Sequence, residues 1–426
     1  MVFTGHAGLA KSSVLDRLCE HIKTVEPGSS ANWYSAEQNL WMETFLDEDR
    51  ESQSNRWRES LRSAMDKWDD ERPDYAFLSL HLSYQRFSRT LLPLTWQTQR
   101  TPASRPTSLT FFLKRYFQPH YFVCLIDDLP SVQWRIQREG KFSLPLQQLF
   151  GWRNLETQLT DYVAQEVVSQ SPEARTAAHY YPFERSPLVA VRHPPQMLFR
   201  LIGKPESVRV YASFPIGTTR RNKAYQEQID RFRNALHKDF TVFDPLSIDE
   251  LPLSDIAKMG DYSDYRNARW PLSNTLCNPD DEPVPVNQAE ARQVVSSPYG
   301  VPSILSDQIE TRDFRLIEQA DCIVTYRPQF RGDGAEPRED FSEGTKNEWE
   351  FARRLGRARF LIHDPAEDGP LNNEAFHSKG GMAPYRFDQI GNLSNPENQA
   401  KVLEQVIGRL KQESSQIRRT RMPSAG

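Results

Sequence analysis

The chain has 426 residues, enough for two or three domains that bury their cores without disulfide support. Its net charge of -4 and sequence pI of about 6.2 provide no global basic field, so nucleic acid is not an expected partner and small molecules or protein are. Hydrophobic residues at 38% and charged residues at 26% fit a globular chain, and no apolar window approaches the roughly 18 residues of a bilayer span. No membrane partner and a cytoplasmic location are therefore expected. Cys19, Cys124, Cys277 and Cys322 are scattered and read as buried thiols.

In chain order, Val2-Phe3 reads as a strand, followed by a glycine-rich turn and a helix from Ser13 to Val25. Glu26 to Asp74 mixes tryptophans with many charges and reads as an insertion of surface helices. Strands follow at Phe77 to Leu82, Tyr121 to Ile126 and Leu188 to Val191. Gly203-Lys204-Pro205-Glu206 breaks the pattern. A second block opens with the strand Val208 to Tyr211, the helix Lys223 to His237 and the strand Phe240 to Phe243. After a long stretch rich in Asp, Pro and Asn (246–306) come a helix near 308–319 and the strand Cys322 to Tyr326. A polar insertion (326–343), a helix near 346–355, the strand Arg359 to His363 and a helix near 397–413 complete the block. The expected fold class is α/β in two domains, 1–202 and 206–415, each a parallel-type sheet with flanking helices, with 416–426 a flexible tail. Ligands of such sheets lie beyond the carboxyl ends of the strands.

Between the first strand and helix lies Gly5-His6-Ala7-Gly8-Leu9-Ala10-Lys11-Ser12-Ser13. Backbone N–H groups of such a turn can cradle phosphates, Lys11 can reach the terminal ones, and Ser12 can hold magnesium. The run Phe122 to Ile126 ends in Asp127-Asp128, acids that suit a magnesium ion or its water. These segments resemble the Walker loop and acidic strand of P-loop NTPases and nucleotide kinases. The resemblance implies ATP and Mg2+ held by Gly5, Gly8, Ala10, Lys11, Ser12, Ser13, Asp127 and Asp128, with Ser12 and Asp127 on the metal. Ala10 stands where that loop has glycine. His81, Arg86, Arg135, Trp152, Arg153 and Arg192 are further possible phosphate or substrate contacts, and without distinctive spacing they also read as surface or packing residues.

Downstream, Ser342-Glu343-Gly344-Thr345-Lys346-Asn347-Glu348 follows Arg312-Asp313 and Cys322-Ile323-Val324. A carboxylate set against a sugar carbon and an acid assisting a departing base are what N-glycosidic cleavage needs, and Glu348 and Asp313 suit those roles. Thr345-x-x-Glu348 also matches a capping box, and Thr311 with Asp313 matches the first turn of a helix.

The stretch Glu310-Thr311-Arg312-Asp313 to Val324, with Ser342-x-Gly344-Thr345-x-x-Glu348-x-x-x-Ala352 and Val210-Tyr211-Ala212-Ser213-Phe214-Pro215, resembles the nucleoside 2-deoxyribosyltransferase family over residues 206–412. That resemblance implies Glu348 as nucleophile, Asp313 as the assisting acid and a homo-oligomer. Ser342 stands where the transferases of free nucleosides carry aspartate, as in relatives that hydrolyse nucleoside 5'-monophosphates. A serine hydroxyl beside backbone N–H groups accepts an anion that a carboxylate would repel. Ser342 with Ser213, Arg220 and Arg221 is thus expected at a phosphate, and Tyr211, Gly344 and Thr345 at the substrate. The expected function is cleavage of the N-glycosidic bond of a (deoxy)nucleoside 5'-monophosphate, without a cofactor at that site, alongside an ATP-binding domain acting as a nucleotide kinase. The alternatives are a deoxyribosyltransferase, or a P-loop kinase or nucleotide sensor whose C-terminal domain only binds nucleotide.

Overall fold

The computed structural model describes residues 1–40, 42–86, 89–93, 109–139, 143–168, 186–204, 206–216, 223–258, 286–296, 303–327, 342–363, 385–387, 393 and 395–419. They form two compact units, Met1–Ile202 with Ile248–Ser306, and Gly203–Ser247 with Asp307–Gly426. Among the described residues no helix is long and apolar enough to cross a membrane.

Unit 1 runs β1 (Val2–Thr4), α1 (Lys11–Val25), β2 (Ala31–Ser35), α2 (Met42–Phe45), α3 (Arg50–Glu71), β3 (Tyr75–Ser79), and a two-stranded hairpin of β4 (Tyr84–Arg86) and β5 (Arg89–Leu91). It continues with α4 (Leu109–Phe112), β6 (Phe122–Ile126), α5 (Leu129–Arg138), α6 (Leu146–Val168), β7 (Leu188–Ala190) and α7 (Pro195–Gly203). Its five strands lie in the order β2-β3-β1-β6-β7, all parallel. Successive side chains of a strand point to opposite faces. Val2 and Leu78 accordingly join Trp57, Leu61 and Met65 of α3 and Val163, Ala164 and Val167 of α6 in one core, whereas Phe3 meets Phe77 edge to face. The strand β2 lies inside the stretch expected to hold only surface helices. Its sequence, Ala-Asn-Trp-Tyr-Ser, is short and half polar, so it shows no apolar run.

Unit 2 contains β8 (Arg209–Ser213), α8 (Lys223–Asp239) and β9 (Thr241–Phe243) before the segment 248–306. That segment supplies α9 (Pro252–Lys258) and α10 (Gln288–Val295), and it belongs to unit 1 although its place in the chain is within the second block. The chain then gives α11 (Ile304–Glu318), β10 (Cys322–Tyr326), α12 (Glu343–Arg354), β11 (Ala358–Ile362), β12 (Tyr385–Phe387), α13 (Pro396–Gln412) and α14 (Ser414–Arg419). The five parallel strands are ordered β12-β11-β10-β8-β9. All five residues of β8, β10 and β11 are buried, as expected of a parallel sheet covered on both faces. Val210, Ala212 and Phe214, with Val324 and Phe360, pack on α8, α13 and Ile417 of α14, so residues 416–419 are helical rather than tail. The alternate residues Arg209, Tyr211 and Ser213 point to the other face. There Trp349 of α12 lies beneath the guanidinium of Arg359, 5.2 Å from the ring centroid.

Polar anchors hold the 248–306 segment within unit 1. Glu250 is fully buried, accepts the N–H of Leu129 at 3.1 Å, and pairs with Arg153 through both its oxygens at 2.8 and 3.1 Å. Glu290 of α10 accepts from Gln133 at 2.7 Å and from the first N–H of α6, at Leu146, at 2.9 Å. Removing one member of a buried pair leaves the other charged and uncompensated. Glu250→Ala is therefore expected to cost unit 1 about 3–5 kcal/mol, read as a fall in its urea midpoint.

Candidate functional site

In unit 2, Glu348 lies on the turn of α12 that faces β8. Its Oε1 accepts the Tyr211 hydroxyl at 2.8 Å and its Oε2 the Ser213 hydroxyl at 2.5 Å. Tyr211 and Ser213 are fully buried and share one face of β8, and Glu348 and Asp313 are nearly so. Arg312 donates through Nε and a terminal nitrogen to Asp313 Oδ1 at 3.1 and 3.0 Å. Burial pushes the Glu348 carboxyl up to about 8, and the Asp313 charge adds to that rise against the opposing hydrogen bonds of Ser213 and Tyr211. The Tyr211 phenol is held well above its ordinary value by burial and by the same two carboxylates.

The location follows from topology. With strands in the order β12-β11-β10-β8-β9, the chain leaves β8 in one direction and β10 in the other. The crevice between their carboxyl ends is where a doubly wound sheet receives a ligand. Tyr211 and Ser213 end β8, and Glu348 sits on the helix that follows β10.

Two helical readings of these acids are corrected. The cap of α12 is Ser342, whose Oγ accepts the Thr345 N–H at 3.3 Å, so the helix starts a turn earlier than a Thr345 cap would place it. Glu348 is thus the sixth helical residue and no part of a capping box. Asp313 is the tenth residue of α11, past the reach of the dipole at its first turn. Both acids are held in the interior for reasons other than helix termination.

The remaining expected contacts divide. Ser342 and Gly344 are exposed at the α12 N-terminus, and Thr345 is buried with its hydroxyl 2.9 Å from that of Ser342. Ser213, expected at a phosphate, has its hydroxyl engaged by Glu348. Arg220 and Arg221 lie outside the described residues. Arg312 was not singled out from the sequence, because neighbouring residues of a helix point in different directions and adjacency gives no cue.

In unit 1 the turn after β1 wraps back onto the sheet. Gly5 has φ of 132°, and a Cβ there would lie 2.6 Å from the Leu125 carbonyl; Gly8 has φ of 79°, with Ile136 Cγ1 2.8 Å away. Ala10 caps α1 in the left-handed region at φ 49°. Lys11 is buried, and its ammonium donates to the carbonyls of Gly5 at 2.6 Å and Leu80 at 3.3 Å. Burial lowers its pKa from the ordinary value, against the pull of Glu37 and Glu156. Glu156 is fully buried, taking the N–H groups of Gly5 and Leu82 and the Ser83 hydroxyl. Ser12 and Ser13 are exposed.

The other polar residues expected around this turn serve varied purposes. Asp127 is fully buried and pairs with Arg135 and Arg192, while Arg192 also reaches Asp128 at 2.6 Å. Arg135 donates to the Gly8 carbonyl at 2.6 Å, and Asp128 caps α5. The Trp152 indole donates to the Ser83 hydroxyl at 3.0 Å, the Arg86 side chain pairs with Asp47, and His81 lies 3.3 Å from Glu37. His6, Glu37 and Glu156 were not picked out from the sequence; Glu37, in the turn after β2, acts on Lys11 through its charge and Glu156 reaches the loop from α6, separations that no local motif records.

No protein-family model matches the chain, and no curated protein matches it.

The two special backbone positions of the turn give a paired expectation. Gly8→Ala combines a left-handed φ with overpacking and is expected to destabilise unit 1 by about 2–4 kcal/mol. Ala10→Gly relieves a left-handed alanine and is expected to stabilise it by about 1 kcal/mol. Urea unfolding of the two variants beside the parent checks both signs.

Proposed function

We propose that unit 2 cleaves the N-glycosidic bond of a nucleoside 5'-monophosphate, releasing the base and a sugar phosphate, and that unit 1 binds nucleotide phosphates on the loop from Gly5 to Ser12. The observation that carries the first part is the Glu348 carboxyl, buried at the strand crevice between two hydroxyl donors and beside Asp313. The carboxyl at that depth accepts the two buried hydroxyls of β8. Burying one beside another acid is costly, and such sites concentrate where chemistry is done.

The chemistry follows from the shared proton. With Glu348 raised to about 8, the pair of acids retains one proton at neutral pH. On substrate binding that proton passes to Asp313, and the freed Glu348 carboxylate attacks the anomeric carbon. The carbon–nitrogen bond breaks with its electron pair going to the base, which takes the proton from Asp313. Water then displaces the Glu348 carboxylate from the anomeric carbon, its hydroxyl staying on the sugar and its proton going to Asp313, which restores the one proton of the pair. Tyr211 and Ser213 keep the carboxylate aimed while it carries charge. The exposed N–H groups at the start of α12, with the Ser342 hydroxyl, suit the 5'-phosphate. Six residues separate Ser342 from Glu348, about 9 Å of helix rise, and side chains lean toward the helix N-terminus, which shortens that span toward the length of a sugar phosphate.

A chromatographic screen of nucleoside monophosphates for base release tests this reading. The parent is expected to release base from at least one of them, and Glu348→Gln to lower the rate by at least about 10³-fold. Release from none sinks the proposal. Because the reaction uses the shared proton, kcat/KM is expected to fall about tenfold per pH unit above about 8, where that proton is lost. Tyr211→Phe deletes a hydrogen bond that favours the ionised carboxylate, so the alkaline limb should move up by about one unit. A rate that keeps rising through pH 8 would contradict the proton's role.

A further inference from the structure

The acids at the end of β6 are committed to arginines. Asp127 Oδ1 accepts the Asp128 N–H at 2.9 Å and lies 3.1 Å from Arg192 Nε, and Oδ2 pairs with Arg135. Asp128 Oδ1 accepts the Ser131 N–H at 2.9 Å, and its Oδ2 lies 2.6 Å from Arg192. All four oxygens are thus engaged. Burial alone would raise the Asp127 carboxyl, but Arg192 and Arg135 overcome it and hold the group below the ordinary carboxylate range.

A magnesium ion at such a cradle draws on a loop hydroxyl and a strand-ending acid, directly or through its waters, and needs near-octahedral oxygen geometry. Asp127 could meet that need only by giving up a buried ion pair, at a cost of the order that makes breaking such pairs strongly destabilising. Arg135 is tied at the same time to the Gly8 carbonyl, so its withdrawal would also release the turn. Among the described residues no group of three or more His, Cys, Asp or Glu is arranged to hold a metal. The residues present do not fit magnesium.

A second observation points to a ligand at this turn. His6 is 1% exposed, and its Nδ1 lies 2.8 Å from the Ala7 carbonyl, which can only accept. Nδ1 therefore carries the proton, and Nε2 is a buried acceptor with no hydrogen-bond partner among the described residues. Burial pushes the imidazole down to about 3, with the Arg153 and Lys11 charges adding to it, so the ring stays neutral near Lys11. A neutral acceptor within the field of the Lys11 ammonium, which would have to leave the Gly5 carbonyl to meet a phosphate, suits a ligand that carries both a phosphate and a hydroxyl or amino donor.

Resting on the reading of the Gly5 to Ser12 loop as a phosphate cradle, we infer that unit 1 binds a nucleotide without a divalent cation, through Lys11, the loop N–H groups and His6. Its ligand is a free phosphate ester of a nucleoside, and the locked aspartates keep the site a binding site.

Equilibrium dialysis of the full chain, in the Glu348→Gln background, with labelled ATP in excess EDTA and in excess magnesium tests this. The expected result is a Kd equal within about threefold in the two conditions, weakened at least tenfold by Lys11→Ala in both. Tenfold or tighter binding on adding magnesium overturns the metal-free proposal and leaves the cradle reading standing. No binding in either condition, or binding indifferent to Lys11→Ala, overturns the cradle reading with it. Where Lys11→Ala fails to fold, as a thermal melt of that variant would reveal, His6→Ala takes its place, and ATP binding indifferent to that change overturns the assignment to unit 1.

Discussion

Two hydroxyls at alternate positions of one strand grip the two oxygens of Glu348, and that grip depends on β8 lying between two neighbours, β10 and β9, in a parallel sheet. A central strand buries both faces, so Tyr211 and Ser213 are desolvated before any ligand arrives, and they need a polar partner. Glu348 is that partner. In return it is held at a depth where its proton binds more tightly than in water, beside a second acid with its own arginine. Remove the strand's alternation and the carboxyl loses its support. The chemistry proposed for unit 2 follows from these constraints more than from the identity of the glutamate alone.

Unit 1 handles buried charge in the opposite way. Its acids have cationic or hydrogen-bonding partners: Asp127 and Asp128 share Arg192, Asp127 also pairs with Arg135, Glu250 with Arg153, and Glu156 takes backbone N–H groups and a serine. Burial and the Asp127 charge still push the Asp128 carboxyl up to about 6. The two units share an architecture and differ in what their strand ends do. In unit 2 the raised acid meets two hydroxyls; in unit 1 the aspartates meet arginines.

Much of the fold was legible in the sequence where strands are apolar throughout. Phe122 to Ile126, Cys322 to Tyr326 and the β8 run were each found within a residue or two, because burial on both faces leaves a continuous signature. The same rule explains the misses. β2 is half polar, and β12 is three residues long, too short for a period to show. The motif residues Glu348, Tyr211 and Ser213 were legible, yet their joint role was not, since Ser213 looked free for a phosphate until its hydroxyl was seen on Glu348. Asp127 ends an apolar strand in the right place, but the arginines that bind it come from positions 135 and 192, which spacing does not connect. Packing at long sequence separation is what a linear reading lacks.

The excursion of residues 248–306 out of the second unit bears on how the protein is made. Unit 1 leaves Arg153 without its partner and the start of α6 without Glu290 until residues 250 and 290 have been synthesised. A chain that grows at about 5–20 residues per second reaches that point roughly 5–20 seconds after residue 202, with β8 and β9 already emerged. Completing the buried ion pair of Arg153 thus requires a stretch of chain made only after the first strands of the second unit.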